Sequence, residues 1–232
     1  MYFKYGHVEM TETINLENSQ ALHNMLIKQI REQFMLDEHI LEVIESTPRH
    51  TFVPENYKAM AYAEMHIPIA EKQVMMTPNE EARVLNALSI NENNSILEIG
   101  TGTGYVSALL AKLGRQVLSI DIFEQFTKQA AIKSTAVGIN NIEFITADAH
   151  LGYGEDNSYD VICISASMPL LPNALLKQLK PGGRLFALIG TAPAISATLI
   201  TKVNQQDLKQ EILFETNLPE MINAVKPEPF IF

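Results

Sequence analysis

The chain has 232 residues, 47% hydrophobic and 19% charged, so it can bury a substantial core and does not have the composition of a disordered protein. A formal net charge of −10 and the lack of any Lys/Arg run argue against nucleic acid or an anionic membrane as the main partner. The one cysteine, Cys163, excludes an internal disulfide and a cysteine-cluster zinc site; in the apolar run "YDVICIS" it reads as a small buried hydrophobe. The histidines show no metal-ligand spacing, so no metal is expected. No apolar run reaches the roughly 18 residues of a membrane helix, and "MYFKYGHVEM" lacks the basic-then-apolar pattern of a signal peptide. A reducing cytoplasm is the expected compartment.

Residues 1–14 have no clear period and are set apart as an N-terminal extension. From "LENSQALHNMLIKQI" onward, Leu22, Met25, Leu26 and Ile30 recur at three- and four-residue steps. This predicts a helix with one buried stripe, capped by Asn15 or Asn18. "DEHILEVIEST" predicts a second helix, from an Asp37 cap to a stop before Pro48. "RHTFVPENYKAMAYAEMHIPIAEKQVMMTP" is rich in proline and aromatics and poor in period. Residues 15–78 therefore read as a helical and irregular layer with a lid loop, integrated with a core at 79–232 into one domain.

The rest alternates. "SILEI" (95–99), "QVLSI" (116–120), "IEFIT" (142–146), "YDVICI" (159–164) and "RLFALIG" (184–190) read as strands. "GYVSALLAKLG", "FEQFTKQAAIKSTAVG" and "LPNALLKQLK" read as helices. "ISATLITKV" and "KQEILFET" close the chain as an antiparallel edge pair. Apolar, β-branched strands flanked by helices predict an α/β fold, a mostly parallel sheet covered on both faces.

"LEIGTGTGY" places Gly100, Gly102 and Gly104 between a strand and a helix, where glycine lets backbone approach a ligand and the helix start offers N–H groups. A dinucleotide-binding loop would carry its third glycine at position 105, which is Tyr105 here, so a nicotinamide dehydrogenase is disfavoured. Glu98 ends the first core strand, Asp121 follows the second and Asp148 the third. Three carboxylates at successive strand ends converge on the crevice where open α/β sheets bind ligands.

In "LEIGTGTGY", "SID", "ADA", "YDVI" and "LLKQLKPGGRLF" the chain resembles the class I S-adenosylmethionine-dependent methyltransferases. The resemblance implies a Rossmann-like, doubly wound, seven-stranded sheet with S-adenosylmethionine as cofactor and S-adenosylhomocysteine as product. It implies that Glu98 and the loop Gly100, Thr101, Gly102, Thr103, Gly104, Tyr105 hold the methionine portion. Asp121, with Ile122 beside it, would take the ribose hydroxyls, and Asp148 with Ala149 the adenine. "STPRHTFVP", "AYAEMHIPI" and "TPNEEARVLNAL" narrow the resemblance to the protein-L-isoaspartate O-methyltransferases, over about Ile40 to Gly190. That family esterifies isoaspartyl carboxylates of damaged proteins, so the implied partner is a protein or peptide carboxylate.

One loop departs from the family. Where it typically reads Gly-x-Gly-Gln-Thr-Ile-Ser-x-Pro, this chain has Ala70 to Pro78: Gln73 and Pro78 are kept, both glycines are gone, and Val74 and Met76 replace the Thr and Ser. A thioether donates no hydrogen bond. The stretch Gln73, Val74, Met75, Met76, Thr77 thus offers an apolar, deformable rim, with Thr77 as a substitute donor if the loop shifts. Ser165 and Ser167, after the fourth core strand, are candidates on the acceptor side. The tail "LPEMINAVKPEPFIF" departs from the family's Phe-Val-Pro-Leu-like segment, and Pro219, Pro227 and Pro229 predict irregular chain. Three readings follow: isoaspartyl methylation, methylation of a more apolar small-molecule or protein acceptor on the same scaffold, and S-adenosylmethionine binding without turnover.

Overall fold

The computed structural model describes residues 18–31 and 36–228; the expected extension at 1–14, the Asn15 cap and Pro229 lie outside them. Helix α1 (residues 18–31) widens to a π-helix over Met25–Arg31 and buries Met25, Leu26 and Ile30, the stripe that the sequence spacing predicts. Asn18 is already helical. Helix α2 (Glu38–Glu45) starts at Asp37, whose carboxylate accepts the His39 N–H at 3.0 Å. The aperiodic stretch that follows forms 3₁₀ turns and a two-residue pair, β1 (Ile67–Pro68) with β2 (Val74–Met75), which the sequence does not announce. Helix α3 (Pro78–Leu88) begins the core.

The core elements are β3 (Ser95–Ile99), α4 (Tyr105–Leu113), β4 (Gln116–Asp121), α5 (Glu124–Ala136), β5 (Ile142–Thr146), β6 (Tyr159–Met168), α6 (Asn173–Gln178), β7 (Leu179–Thr191), β8 (Ala194–Lys202) and β9 (Leu208–Thr216). They form one seven-stranded sheet in the order β5-β4-β3-β6-β7-β8-β9, parallel through β7 and antiparallel at β8 and β9. The helix expected over "LPNALLKQLK" ends early at Gln178. Leu179 already pairs with Tyr159, and a register shift absorbs the proline and glycines before Arg184.

Alternation along each strand sends neighbours to opposite faces. Ile96, Cys163 and Phe186 pack with the N-terminal layer and helices α3 and α4, while Leu97, Ile162 and Leu185 pack on the other side. The chain runs from β3 outward to β5 and then returns to β6 on the far side of β3. That reversal opens a crevice at the carboxyl ends of the central strands.

The N-terminal layer is fastened by one side chain. Arg49 has no exposed surface. Its Nε donates to Glu81 Oε2 at 2.9 Å, its Nη2 to Glu81 Oε1 at 3.1 Å and to the Met76 carbonyl at 2.7 Å, and its Nη1 to the Ala61 carbonyl. Burial pushes the Glu81 carboxyl up, to about 7, against the pull of Arg49. Burial also works against the guanidinium charge, yet the attraction of Glu81 leaves Arg49 raised. The two tendencies conflict over whether Glu81 is ionised at neutral pH, and the bidentate geometry decides for the ion pair. Removing one partner of a buried pair strands the other charge. Glu81→Gln is therefore expected to cost about 3 kcal/mol, read as a lower urea midpoint at unchanged slope. An unchanged midpoint would show that the pair is not the fastening.

Candidate active site

The glycine loop leaves β3 with its backbone already committed. Gly100 N–H donates to the Ile120 carbonyl at 2.8 Å, and Gly102 N–H to Asp121 Oδ2 at 3.0 Å. Gly100 has φ 98° and Gly102 φ 50°, in the left-handed region that a side chain disfavours. Both line an open cleft with about 890 Å³ of empty space, the solvent at its mouth included. Thr101, Thr103, Tyr105, Asp121, Ile122, Asp148 and Ala149 line it too, as the sequence reading expects.

Two expected members do not. Gly104 has φ 84°, and a Cβ there would lie 2.6 Å from the Ala130 Cβ; its glycine serves the packing of α4 on α5. Glu98 is fully buried beneath the loop. Its Oε2 accepts the Ser119 hydroxyl at 2.6 Å and the Ser107 hydroxyl, whereas Oε1 has no partner. Burial pushes this carboxyl up to about 7, against those two hydroxyls. It braces the loop from below and is not part of the cleft wall.

Asp121 fits a ribose. Its Oδ2 accepts Gly102 N–H and its Oδ1 accepts Phe123 N–H, each at 3.0 Å, the N–H groups of Ile122 and Thr101 also act on it, and the carboxylate stands in the cleft wall as an acceptor for hydroxyls. Burial raises its carboxyl, and the backbone N–H groups offset part of the rise. Asp148 is more occupied. Its Oδ1 accepts His150 N–H at 3.1 Å and lies 2.9 Å from His150 Nδ1, while its Oδ2 accepts the Asn223 amide at 2.7 Å. Partial burial opposes ionisation, but the bonds from His150 and Asn223 hold the carboxyl below its usual value. One site on Oδ2 remains for an exocyclic amine. Ile122, Phe123 and Phe126 supply apolar wall.

The loop after β1 supplies the facing wall. Gln73, Val74, Met75 and Met76 line the cleft, but Met75 and Met76 are only 6% and 4% exposed and belong to the core. The expected deformable rim is therefore packed hydrophobe at those two positions, and Gln73 and Val74 are half-buried. Thr77, the candidate substitute donor, is buried and does not line the cleft, although its O–H donates to no partner among the described residues. Its hydroxyl accepts Glu80 N–H at 3.2 Å while Glu80 Oε2 accepts Thr77 N–H at 2.8 Å, a reciprocal cap for α3. Lys72, at a position where the resembled family has glycine, carries φ 58°, and Glu71 carries φ 57°. Gln125 of α5 holds Glu71 at 2.7 Å.

The two serines part company. Ser165 lines the cleft, and its buried oxygen has no hydrogen-bond partner among the described residues beyond a weak contact with the Cys163 thiol. Ser167 is structural: its hydroxyl donates to the Leu218 carbonyl at 3.0 Å, and its backbone exchanges bonds with Pro219 and Met221. It pins the tail along β6, so that Met221 and Ile222 complete the cleft. Ser167, Leu218, Pro219 and Glu220 also border a second cleft with His66, Asn217 and Thr191, and Val74 borders both. Sequence reasoning missed Ile69, Phe123, Phe126, His150, Met221 and Ile222. Only Phe123 and His150, each two residues past a cited carboxylate, carried a local signal.

The sheet order, the glycine loop and the carboxylates at the ends of β4 and β5 define a class I S-adenosylmethionine-dependent methyltransferase. The family model described as protein-L-isoaspartate(D-aspartate) O-methyltransferase matches residues 20–219. Protein-L-isoaspartate O-methyltransferase 2 of Archaeoglobus fulgidus is 34% identical over 71% of this chain and 77% of its own. The Xanthomonas campestris pv. campestris enzyme of that name is 33% identical over 89% of this chain and 92% of its own. A solved protein-L-isoaspartate O-methyltransferase shares the fold with TM-score 0.75 at 22% identity, over 88% of this chain and 65% of that one. A Plasmodium falciparum chain described likewise, in complex with S-adenosyl-L-homocysteine, superposes with TM-score 0.71 at 18% identity, over 88% of this chain and 97% of that one. The chain belongs to the protein-L-isoaspartate O-methyltransferase family.

Two measurements test this site. Asp121→Ala is expected to weaken S-adenosylhomocysteine binding by at least about tenfold in calorimetry, the worth of a charge-assisted bond; equal affinity would remove Asp121 from the ribose site. For Glu98, the folded carboxyl titrates above the unfolded one. Its protonated form therefore stabilises the fold fully below the unfolded value of 4.5, and this is lost as pH rises through about 7. Glu98→Gln is expected to flatten that decline in chemical denaturation, and an unaltered slope would refute the assignment.

Proposed function

We propose that the protein transfers the methyl group of S-adenosylmethionine to the free carboxylate of isoaspartyl residues in peptides and damaged proteins, in the cytoplasm. The observation that carries this reading is the junction at Val74, which borders both the first cleft and the second cleft. Among the described residues, no helix is long and apolar enough to cross a membrane.

Bound in the first cleft, S-adenosylmethionine supplies an electrophilic methyl on a sulfonium. A carboxylate is ionised at neutral pH and needs no general base, so the work of the chain is alignment at about 3 Å. The glycine loop holds the methionine portion, Asp121 the ribose, Asp148 and Ala149 the base, and the packed Met75 and Met76 keep water from the facing wall. The Ser165 hydroxyl, whose one contact among the described residues is the weak one with the Cys163 thiol, is a donor for an oxygen at the transfer point. A more apolar acceptor is the second reading, favoured by Val74 standing at the junction where the family has threonine.

The test is transfer of a tritiated methyl group to an isoaspartyl peptide, with the aspartyl peptide as control. Label is expected as a base-labile ester on the first alone. Ser165→Ala is expected to slow transfer by about tenfold with cofactor affinity unchanged. Absence of labelled isoaspartyl ester from protein that binds S-adenosylhomocysteine would sink this reading in favour of the apolar acceptor.

A further inference from the structure

The second cleft holds a titratable group that the cofactor site does not use. His66 immediately precedes β1, whose Ile67 and Pro68 pair with Met75 and Val74, and it borders the second cleft together with Val74. It is the sole residue bordering that cleft, among the described ones, that can carry a positive charge. The acid that borders it, Glu220, lies 3.3 Å from Lys226. Of the uncharged polar side chains bordering the cleft, Ser167 is spent on the Leu218 carbonyl.

His66 is itself held. Its Nε2 lies 2.8 Å from Glu80 Oε2, while Nδ1 has no protein partner among the described residues. Glu80 is fixed in turn by Thr77 N–H at 2.8 Å and by the Thr216 hydroxyl of β9. A carboxylate fixed by these two donors sets the ring's orientation and selects an imidazole whose Nε2 carries a proton. Protonation of Nδ1 then makes a charged donor. The groups acting on the ring are Glu80 and Glu81 of α3 and Glu64 before it, with Glu220 bordering the same cleft. The Glu80 bond raises the imidazole above its ordinary value, partial burial opposes this, and Glu64 and Glu81 add to the rise.

We propose that His66, oriented by Glu80, holds the acceptor: its Nδ1–H donates to one oxygen of the isoaspartyl carboxylate and leaves the other free to meet the methyl donor. This rests on the isoaspartyl reading of the site. It places a charged donor where the Thr and Ser of the resembled loop have become Val74 and Met76. In the transfer, the free carboxylate oxygen forms a bond to the methyl carbon as the carbon–sulfur bond breaks, with the electron pair staying on sulfur. The carboxylate and sulfonium charges vanish together and no proton moves, so His66 keeps its proton throughout. The methyl ester then lacks the anionic charge that His66 attracts, which favours release.

The experiment measures isoaspartyl peptide affinity by calorimetry on the full chain loaded with S-adenosylhomocysteine, from about pH 6 to about pH 9, beside tritiated-methyl transfer. The wild type is expected to bind more weakly as pH rises through the imidazole titration. H66Q is expected to bind about tenfold more weakly at the low end and to lose the pH dependence. E80Q, which preserves the α3 cap because glutamine serves at that position, is expected to shift the decline to lower pH. Unchanged thermal midpoints in both variants separate these effects from misfolding. H66Q binding with wild-type affinity and profile would overturn the assignment, as would a wild type that binds no isoaspartyl peptide. Peptide binding that depends on His66 without methyl transfer would uphold the assignment and overturn the isoaspartyl transferase reading. Transfer by a chain whose affinity ignores His66 would do the reverse.

Discussion

A guanidinium with no exposed surface must have its N–H groups met by protein, and that demand fixes where several segments of this chain can run. Arg49 reaches the Ala61 turn, the Met76 carbonyl and both oxygens of Glu81. The N-terminal layer, the loop carrying Val74 to Met76 and the first turns of α3 are thereby referred to one atom group. Tyr105, first residue of α4, lies under the same guanidinium at 5.5 Å and against Phe52 at 5.5 Å. The glycine-loop helix is thus joined to the same node. The cleft wall opposite the sheet owes its position to this buried ion pair, and only secondarily to the short β1–β2 pairing.

The two clefts are built on different principles. The nucleoside cleft is defined largely by backbone: left-handed glycines, N–H groups donated to Asp121, and the placement of loops at strand ends. Such a site tolerates changes of neighbouring side chains. The acceptor side has little backbone of that kind, because β1 and β2 are two residues each and the tail is irregular. Its chemistry therefore resides in individual side chains, and a change of a few residues redirects it.

Legibility in the sequence follows the same division. The strands β3 to β5 were readable to within a residue because β-branched runs between glycine turns leave no competing pattern. Asp37 and the stripe on α1 were readable because caps and helical spacing are local. What was not readable depends on partners far along the chain. Ser167 looks like a free loop hydroxyl until the carbonyl of Leu218, 51 residues away, takes it. Glu98 reads as a cleft-lining group until the fold buries it and two hydroxyls, on α4 and β4, take one of its oxygens. Thr77 shows the opposite case: a Thr-x-x-Glu cap is a local signal, present at Thr77 and Glu80, and it fixes the backbone of Thr77 at the start of α3 while its hydroxyl serves only as an acceptor.

The paired methionines show how burial changes a chemical reading. As sequence they look like an apolar rim in place of an anion-binding one. As structure, Met75 and Met76 face the core while the Met76 backbone serves Arg49, so the thioethers satisfy packing and the carbonyl satisfies charge. The loss of hydroxyls at this loop is then separable from the loss of anion affinity. A carboxylate in the second cleft responds to the whole local field, and there the acidic groups Glu64, Glu80 and Glu81 would repel it unless a cation intervenes. Arg49 offsets Glu81 from behind, and His66 stands between Glu80 and the cleft. An imidazole in that place screens the acid at its back and presents its own charge forward, so the acidity of α3 becomes the source of anion affinity instead of its obstacle.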